Sequence, residues 1–489
     1  MQEGSEGTVD NARERLSTGV PALDAVLKGG LPGRHVYLVQ GEPGTGKTTM
    51  ALQFLIAGRD KGERCLFVTL SQTRRELQMI AESHGWSLDG IEIVELQTQV
   101  SEREEQTVFY PVDVDLDTTR AAVFEAIKAV EPERLVYDSL VEIRHISHDG
   151  FRFQRELLSF KQMLHERGVA AYLIDLTTDH GGDNEIEGVA HGIFRLDKTL
   201  PTYGRARRRV EISKMRGVDF FDGYHDMAIQ PSQGVVVYPR VVPELAAESS
   251  DSDLVRSEIG DLDEMLGGGM ESGTTTLMVG QPGTGKSTLS SLYAYSALKR
   301  GENVTVFLFE ERPETFFRRS EGLGLNLRDY ADKGQLELHD FNPAEISQGQ
   351  FAQIAQSSVD DRDTRVVVID SFTGYISGLS EPDEAIIQIQ LLLKYLARRG
   401  VLTILVIAQS GLLGHNMETE FDVSFLGDTV ILLRMYEWPG KIRRTITVVK
   451  KRHGPHDLDV RQLRIRKKGI SIQEFVAPPP GANSPVDRD

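Results

Sequence analysis

Short apolar runs recur along the chain, separated by longer amphipathic segments and by polar or glycine-rich stretches. In the first half, Cys65 to Leu70, Leu135 to Ser139 and Ala170 to Leu176 read as strands; in the second, so do Val304 to Phe309, Val366 to Ser371 and Leu402 to Ala408. Each half then closes on a late strand, at Lys214-Met-Arg216-Gly217 and at Lys450-Lys-Arg452-His453. Strands apolar on both faces, alternating with helical segments of roughly 10 to 15 residues, predict an α/β fold: a mostly parallel sheet flanked by helices.

The pattern occurs twice because the sequence does. Gly41-Glu-Pro-Gly44-Thr45-Gly46-Lys47-Thr48 returns as Gly280-Gln-Pro-Gly283-Thr284-Gly285-Lys286-Ser287, an offset of 239. The same offset aligns Thr18 to Asp24 with Ser257 to Asp263, and Gly29-Gly30 with Gly268-Gly269. A chain of 489 residues exceeds what one core usually serves, whereas each half suits a single domain. The expected organisation is a flexible start (1–14), a first domain (15–242), a polar and acidic linker (243–253), a second domain (254–475) and a proline-rich, disordered tail (476–489).

The repeated motif is a phosphate-binding P-loop. Its glycines let backbone N–H groups close around phosphates, its lysine neutralises β and γ oxygens, and its Thr or Ser hydroxyl ligates Mg2+. Gly41, Gly44, Thr45, Gly46, Lys47, Thr48 and Thr49 are therefore expected to bind ATP, and with them Gly280, Gly283, Thr284, Gly285, Lys286, Ser287 and Thr288. Asp138 and Asp370 each end an apolar strand and are the expected partners, beside Thr48 and Ser287, for Mg2+. Only the second half carries Glu310 and Glu311 after its next strand, where a carboxylate could deprotonate water, with Lys286 as the catalytic cation. On their own the two glutamates could equally be solvated charges ahead of Arg312. The matching residues of the first half, Ser71 and Gln72, cannot take a proton at neutral pH, so weak or no hydrolysis is expected there.

Composition narrows the classes. A hydrophobic share of 40% is that of a globular protein, and no apolar run approaches the ~20 residues of a membrane span. The polar opening Met-Gln-Glu-Gly and the single Cys65 make the cytoplasm the expected compartment. None of the 12 histidines joins others at metal-ligand spacing, so no zinc site is expected. A formal charge of −18 speaks against wholesale wrapping by nucleic acid. The basic runs Arg205 to Arg209, Lys441 to Arg444 and Arg464 to Lys468 leave open a ring ATPase on single-stranded nucleic acid, but base-stacking aromatics are not interleaved with them. Strand arginines at a subunit interface are the simpler account, and a third option is a scaffold held together by ATP without turnover.

With these motifs in order over residues 15 to 472, the chain resembles the KaiC family of duplicated RecA-like ATPases. The resemblance implies two tandem RecA-like P-loop NTPase domains that assemble as a homohexamer with ATP at the subunit interfaces. It also implies that Lys214, Arg216, Lys450 and Arg452 reach a neighbour's phosphates. Members phosphorylate themselves on adjacent Ser and Thr in the second domain. Here the corresponding segment, Thr419-Glu420-Phe-Asp422-Val-Ser424-Phe425, keeps the serine and replaces the threonine by Phe425, which excludes a two-site cycle at that pair. Ser424 is the candidate phosphoacceptor, with an ordinary polar residue before a strand as the other reading, and Thr419 is a weaker acceptor. A switch in signal transduction, with a signalling or clock adaptor as partner, is the role the resemblance implies.

Overall fold

The structure, a computed structural model, describes residues 15–96, 112–147, 150–176, 184–241, 253–379, 382–409, 423–438, 441–466 and 469–476. The expected flexible start lies outside them, as do the linker apart from Asp253 and the tail apart from Val476. Contacts divide the chain into two compact units, residues 1–201 with 206–240 and residues 202–205 with 241–489.

Each unit is built on a nine-stranded sheet. Across the first, the order is Gly234–Tyr238, Tyr224–Gln230, Arg207–Met215, Gly192–Thr199, Val36–Gly41, Ala170–Asp175, Arg134–Asp138, Cys65–Thr69, Ile91–Glu95. The second runs Leu336–Asp340, Asn303–Leu308, Thr364–Asp370, Leu402–Ala408, Thr275–Gly280, Thr429–Trp438, Lys441–Lys451, Arg461–Arg466, Gly469–Glu474. The P-loop strand and its neighbours pair in parallel, and antiparallel strands extend one side of each sheet. Two mostly parallel sheets with flanking helices are what the apolar runs predict.

Alternation along the P-loop strand divides the core. Tyr37 and Val39 face one cluster with Met50 and Phe54; Val36 and Leu38 face another with Tyr137 and Leu173. Met278 and the pair Leu277 and Val279 part in the same way in the second unit. A strand buried on both faces needs helices over each, and every such side chain contributes on the order of 1.5–3 kcal/mol. Asp24 and Asp263 explain the lead-in motif: Asp24 Oδ1 accepts from the Thr18 N–H (2.8 Å) and hydroxyl (2.7 Å), and Asp263 Oδ1 from the Ser257 N–H (2.7 Å) and hydroxyl (2.8 Å). Among the described residues, no helix is long and apolar enough to cross a membrane.

Candidate functional site

Both P-loops leave the C-terminal end of a central parallel strand and run into a helix, Lys47–Arg59 in one unit and Lys286–Lys299 in the other. That is the edge at which open α/β sheets bind ligands. Gly44 (φ 78°) and Gly46 (φ 109°) hold the loop in the left-handed region, as Gly283 (φ 81°) and Gly285 (φ 108°) do in the repeat. Thr45 and Thr284 donate back across the turn to the carbonyls of Glu42 and Gln281, each at 2.8 Å. Lys47 Nζ donates to the carbonyls of Gly41 (2.6 Å) and Glu42 (2.9 Å), and Lys286 Nζ to those of Gly280 (2.7 Å) and Gln281 (3.0 Å). Burial lowers the pKa of both ammonium groups.

Asp138 and Asp370 end the strands beside these loops and are buried. Burial raises each carboxyl to about 6; Lys47 and the hydroxyls of Thr48 and Ser71 oppose the rise at Asp138, and Ser287 and Arg319 oppose it at Asp370. Thr48 Oγ1 stands 3.4 Å from Asp138 Oδ2. A hydroxyl beside a buried carboxylate is a hard oxygen pair, and Asp370 Oδ2 lacks a hydrogen-bond partner among the described residues. The donor set therefore fits Mg2+, with Thr48 and Asp138 or Ser287 and Asp370 as the groups that would hold it, and the loops with their lysines fit a nucleotide triphosphate.

The acidic groups differ between the units. In the second, Glu311 is clamped by Arg319, whose Nη2 and Nε stand 2.7 and 3.1 Å from its two oxygens. Arg319 also donates to the Ser287 carbonyl at 2.9 Å, which ties the pair to the P-loop helix. Glu310 is exposed and acts electrostatically on Lys286; the structure assigns it no hydrogen bond or ion pair among the described residues. In the first unit Ser71 and Gln72 take these positions, and Gln72 hydrogen-bonds Thr69 through its main chain. Arginines from the basic runs close over both loops: Arg208 Nε donates to the Gly44 carbonyl (3.2 Å) and Arg444 Nε to that of Gly283 (2.8 Å). Arg443 lies over the Trp438 ring, 3.8 Å from its centre. The Arg208 and Arg444 contacts join residues more than 150 apart in sequence, and no motif announces them.

The family model described as "ATPase: KaiC" matches residues 16–242 and again 255–476. The chain belongs to the KaiC ATPase family. Among its relatives is the circadian clock protein KaiC3 of Synechocystis sp. (strain ATCC 27184 / PCC 6803 / Kazusa), 29% identical over 471 residues, covering 94% of this chain and 92% of that protein. The circadian clock oscillator protein KaiC of Parathermosynechococcus lividus is 28% identical over 490 residues, 97% of this chain and 90% of its own length. That of Thermostichus vulcanus is 28% identical over 468 residues, covering 94% and 89%.

The remaining expected site residues of this KaiC-family chain lie at the other end of the sheet. Thr429 pairs with Thr276 near the start of the P-loop strand, and Lys450 pairs with Val430. Four residues of strand, about 13 Å, separate Thr276 from Gly280. Lys450 Nζ donates to the carbonyls of Gly427 (2.7 Å) and Ser424 (3.2 Å), and Arg452 pairs with Asp428 at 3.0 Å. In the first unit Lys214 sits at the equivalent edge, opposite Ile193, donating to the Glu187 carbonyl, while Arg216 donates to that of Gly188 at 2.9 Å. Ser424 is exposed in a short 3-10 turn, and Phe425 beside it is half exposed. Thr419, Glu420 and Asp422 fall outside the described residues.

Proposed function

We propose that this KaiC-family ATPase hydrolyses ATP in its second domain, transfers phosphate to Ser424 of a neighbouring copy, and acts as a signalling or clock-related switch. The cluster of Lys286, Asp370 and Glu310 around the second P-loop carries the hydrolytic part. Lys286 would leave the loop carbonyls for β and γ oxygens. Mg2+, held by Ser287 and Asp370, would neutralise further phosphate charge. Glu310 takes the proton of the attacking water, help worth ~10² to 10⁴ in rate. Glu311 acts indirectly, fixing Arg319 and through it the start of the P-loop helix. The first domain binds ATP and turns it over weakly at most, since no carboxylate follows its matching strand.

Strand register supports the trans part. Ser424, Lys450 and Arg452 stand at the opposite edge of the sheet from their own P-loop, as Lys214 and Arg216 do in the first unit. A phosphoryl group needs its acceptor within about 3.5 Å, so another copy must supply the nucleotide. A homohexamer with ATP at its interfaces meets that need, and γ-phosphate charge would offset the desolvation of the incoming cations. The clock-protein names of the relatives favour a timing or signalling output over nucleic-acid work. Purified protein with Mg2+ and γ-labelled ATP, beside Ser424→Ala, tests the reading. Protein-bound label that disappears in Ser424→Ala is expected; free phosphate with no bound label in either protein would reduce the function to ATP hydrolysis alone.

A further inference from the structure

One carboxylate changes place between the two sites. From Asp138 and Asp370 as far as Asp175 and Ile407 the units keep step at an offset of 232, which sets Ser139 against Ser371 and Glu142 against Gly374. In the second unit, the Gly374 N–H donates to Ser371 Oγ at 2.9 Å in the helix Phe372–Ser377. A Cβ at Gly374 would meet Glu310 Cγ and Oε1, each at 2.8 Å, so the Glu310 carboxyl group lies over that glycine. In the first unit Ser71 holds the Glu310 position and is too short to reach so far. Glu142 instead stands in the first turn of the helix Leu140–Ser147, with its Oε2 accepting from Ser139 Oγ at 2.7 Å. A single space beside the strand-ending aspartate is thus entered from the strand end in one unit and from the following helix in the other.

We propose that Glu142 is the general base of the first nucleotide site, the counterpart of Glu310. The proposal rests on the reading that the first P-loop binds ATP. Glu142 takes a proton from water as the water oxygen bonds to the γ-phosphorus. The bond from that phosphorus to the oxygen shared with the β-phosphate breaks, and ADP leaves with the electron pair. Inorganic phosphate is the other product, and the proton passes from Glu142 to solvent. Glu142 gives up the Ser139 hydroxyl to reach the water, and surrendering a charge-assisted hydrogen bond makes this site the slower of the two.

Full-length Lys286→Ala, which disables the second loop, isolates the first site. Binding of a fluorescent N-methylanthraniloyl ATP and single-turnover conversion of ATP to ADP are measured side by side. Slow conversion is expected in this protein, and adding Glu142→Gln should lower it by about 10² with affinity unchanged within about twofold. Adding Ser71→Glu with Glu142→Gly, the arrangement of the second unit, should restore it. Conversion unaffected by Glu142→Gln overturns the proposal, as does bound analogue without any conversion in the Lys286→Ala parent. Loss of affinity together with rate in Glu142→Gln, or no rescue by the double exchange, would make Glu142 a structural residue and overturns it too. No analogue bound by the Lys286→Ala protein would instead defeat the reading that the first loop holds ATP.

Discussion

The two nucleotide sites keep the same phosphate loop almost to the degree, with φ of 78° and 109° at Gly44 and Gly46 against 81° and 108° at Gly283 and Gly285, while the charges around it are rearranged. The second unit has the Glu311–Arg319 pair where the first has Gln72 and Ile80. The first has an Arg144–Asp175 pair at 2.6 Å where the second has Ile376 and Ile407, a match fixed by register, since Asp175 stands opposite Gln40 and Ile407 opposite Val279. A loop that binds phosphate through backbone N–H groups depends on dihedral angles and tolerates little change. Charge need only arrive at a point in space, and any element bordering that point can deliver it.

Separating the two glutamates of the second site is the strongest way to sharpen this contrast. Glu310→Gln should lower steady-state ATP turnover by ~10² to 10⁴, whereas Glu311→Gln should act more weakly, through a loosened Arg319. Equal losses in the two variants would undo the assignment of base and support. The ion pair peculiar to the first site comes next. Asp175 is fully buried, and Arg144→Met removes the guanidinium beside it at a cost of about 3 kcal/mol, read by denaturant unfolding. Arg144→Ile with Asp175→Ile, copying the second unit, should recover most of that loss. If the double variant is as unstable as the single, the charges were not exchangeable for an apolar contact.

The smallest effect concerns what the sites share. Burial lifts Asp370 from an ordinary 3.8 to about 6. Below pH ~4 the carboxyl is protonated in folded and unfolded chains alike, and no penalty exists. Between pH ~4 and 6 the unfolded chain gives up its proton while the folded chain keeps it, and the cost grows to about 3 kcal/mol and stays there above pH 6. Nucleotide-free Asp370→Asn should therefore be more stable than the parent at pH 8, with the gain fading toward pH 4. Asp138→Asn should follow the same course, because its carboxyl rises equally. Thermal melts that show the gain growing as pH falls would contradict the burial of these groups.

Much of this was legible in advance. P-loops, apolar strands and the aspartates ending them are contiguous patterns, and each stands at the sheet edge that α/β architecture assigns to ligands. Glu310 and Glu311 were visible as a pair, but the sequence could not rank them, because Arg319 enters from the helix that follows. Arg208 and Arg444 read as members of basic runs, with strand arginines at a subunit interface as a simpler account than a nucleic-acid channel; their hydrogen bonds to the loop carbonyls of Gly44 and Gly283 were not legible. Glu142 carried no motif, and its place became apparent only beside Gly374.

Sequence by itself determined the duplication, the two phosphate loops and the strands that present them, because these rest on backbone conformation and on the periodicity of neighbouring residues. Tertiary structure decided which charges serve which site. Strand order sets Ala170–Asp175 and Gly192–Thr199 beside Val36–Gly41, and Leu402–Ala408 and Thr429–Trp438 beside Thr275–Gly280. Those pairings, between segments more than a hundred residues apart, bring Arg208 and Arg444 to their own loops and carry Lys214, Lys450 and Ser424 to the far edge. Side-chain reach is a few ångströms, so only the register of distant strands determines whether a charge meets its own phosphate loop.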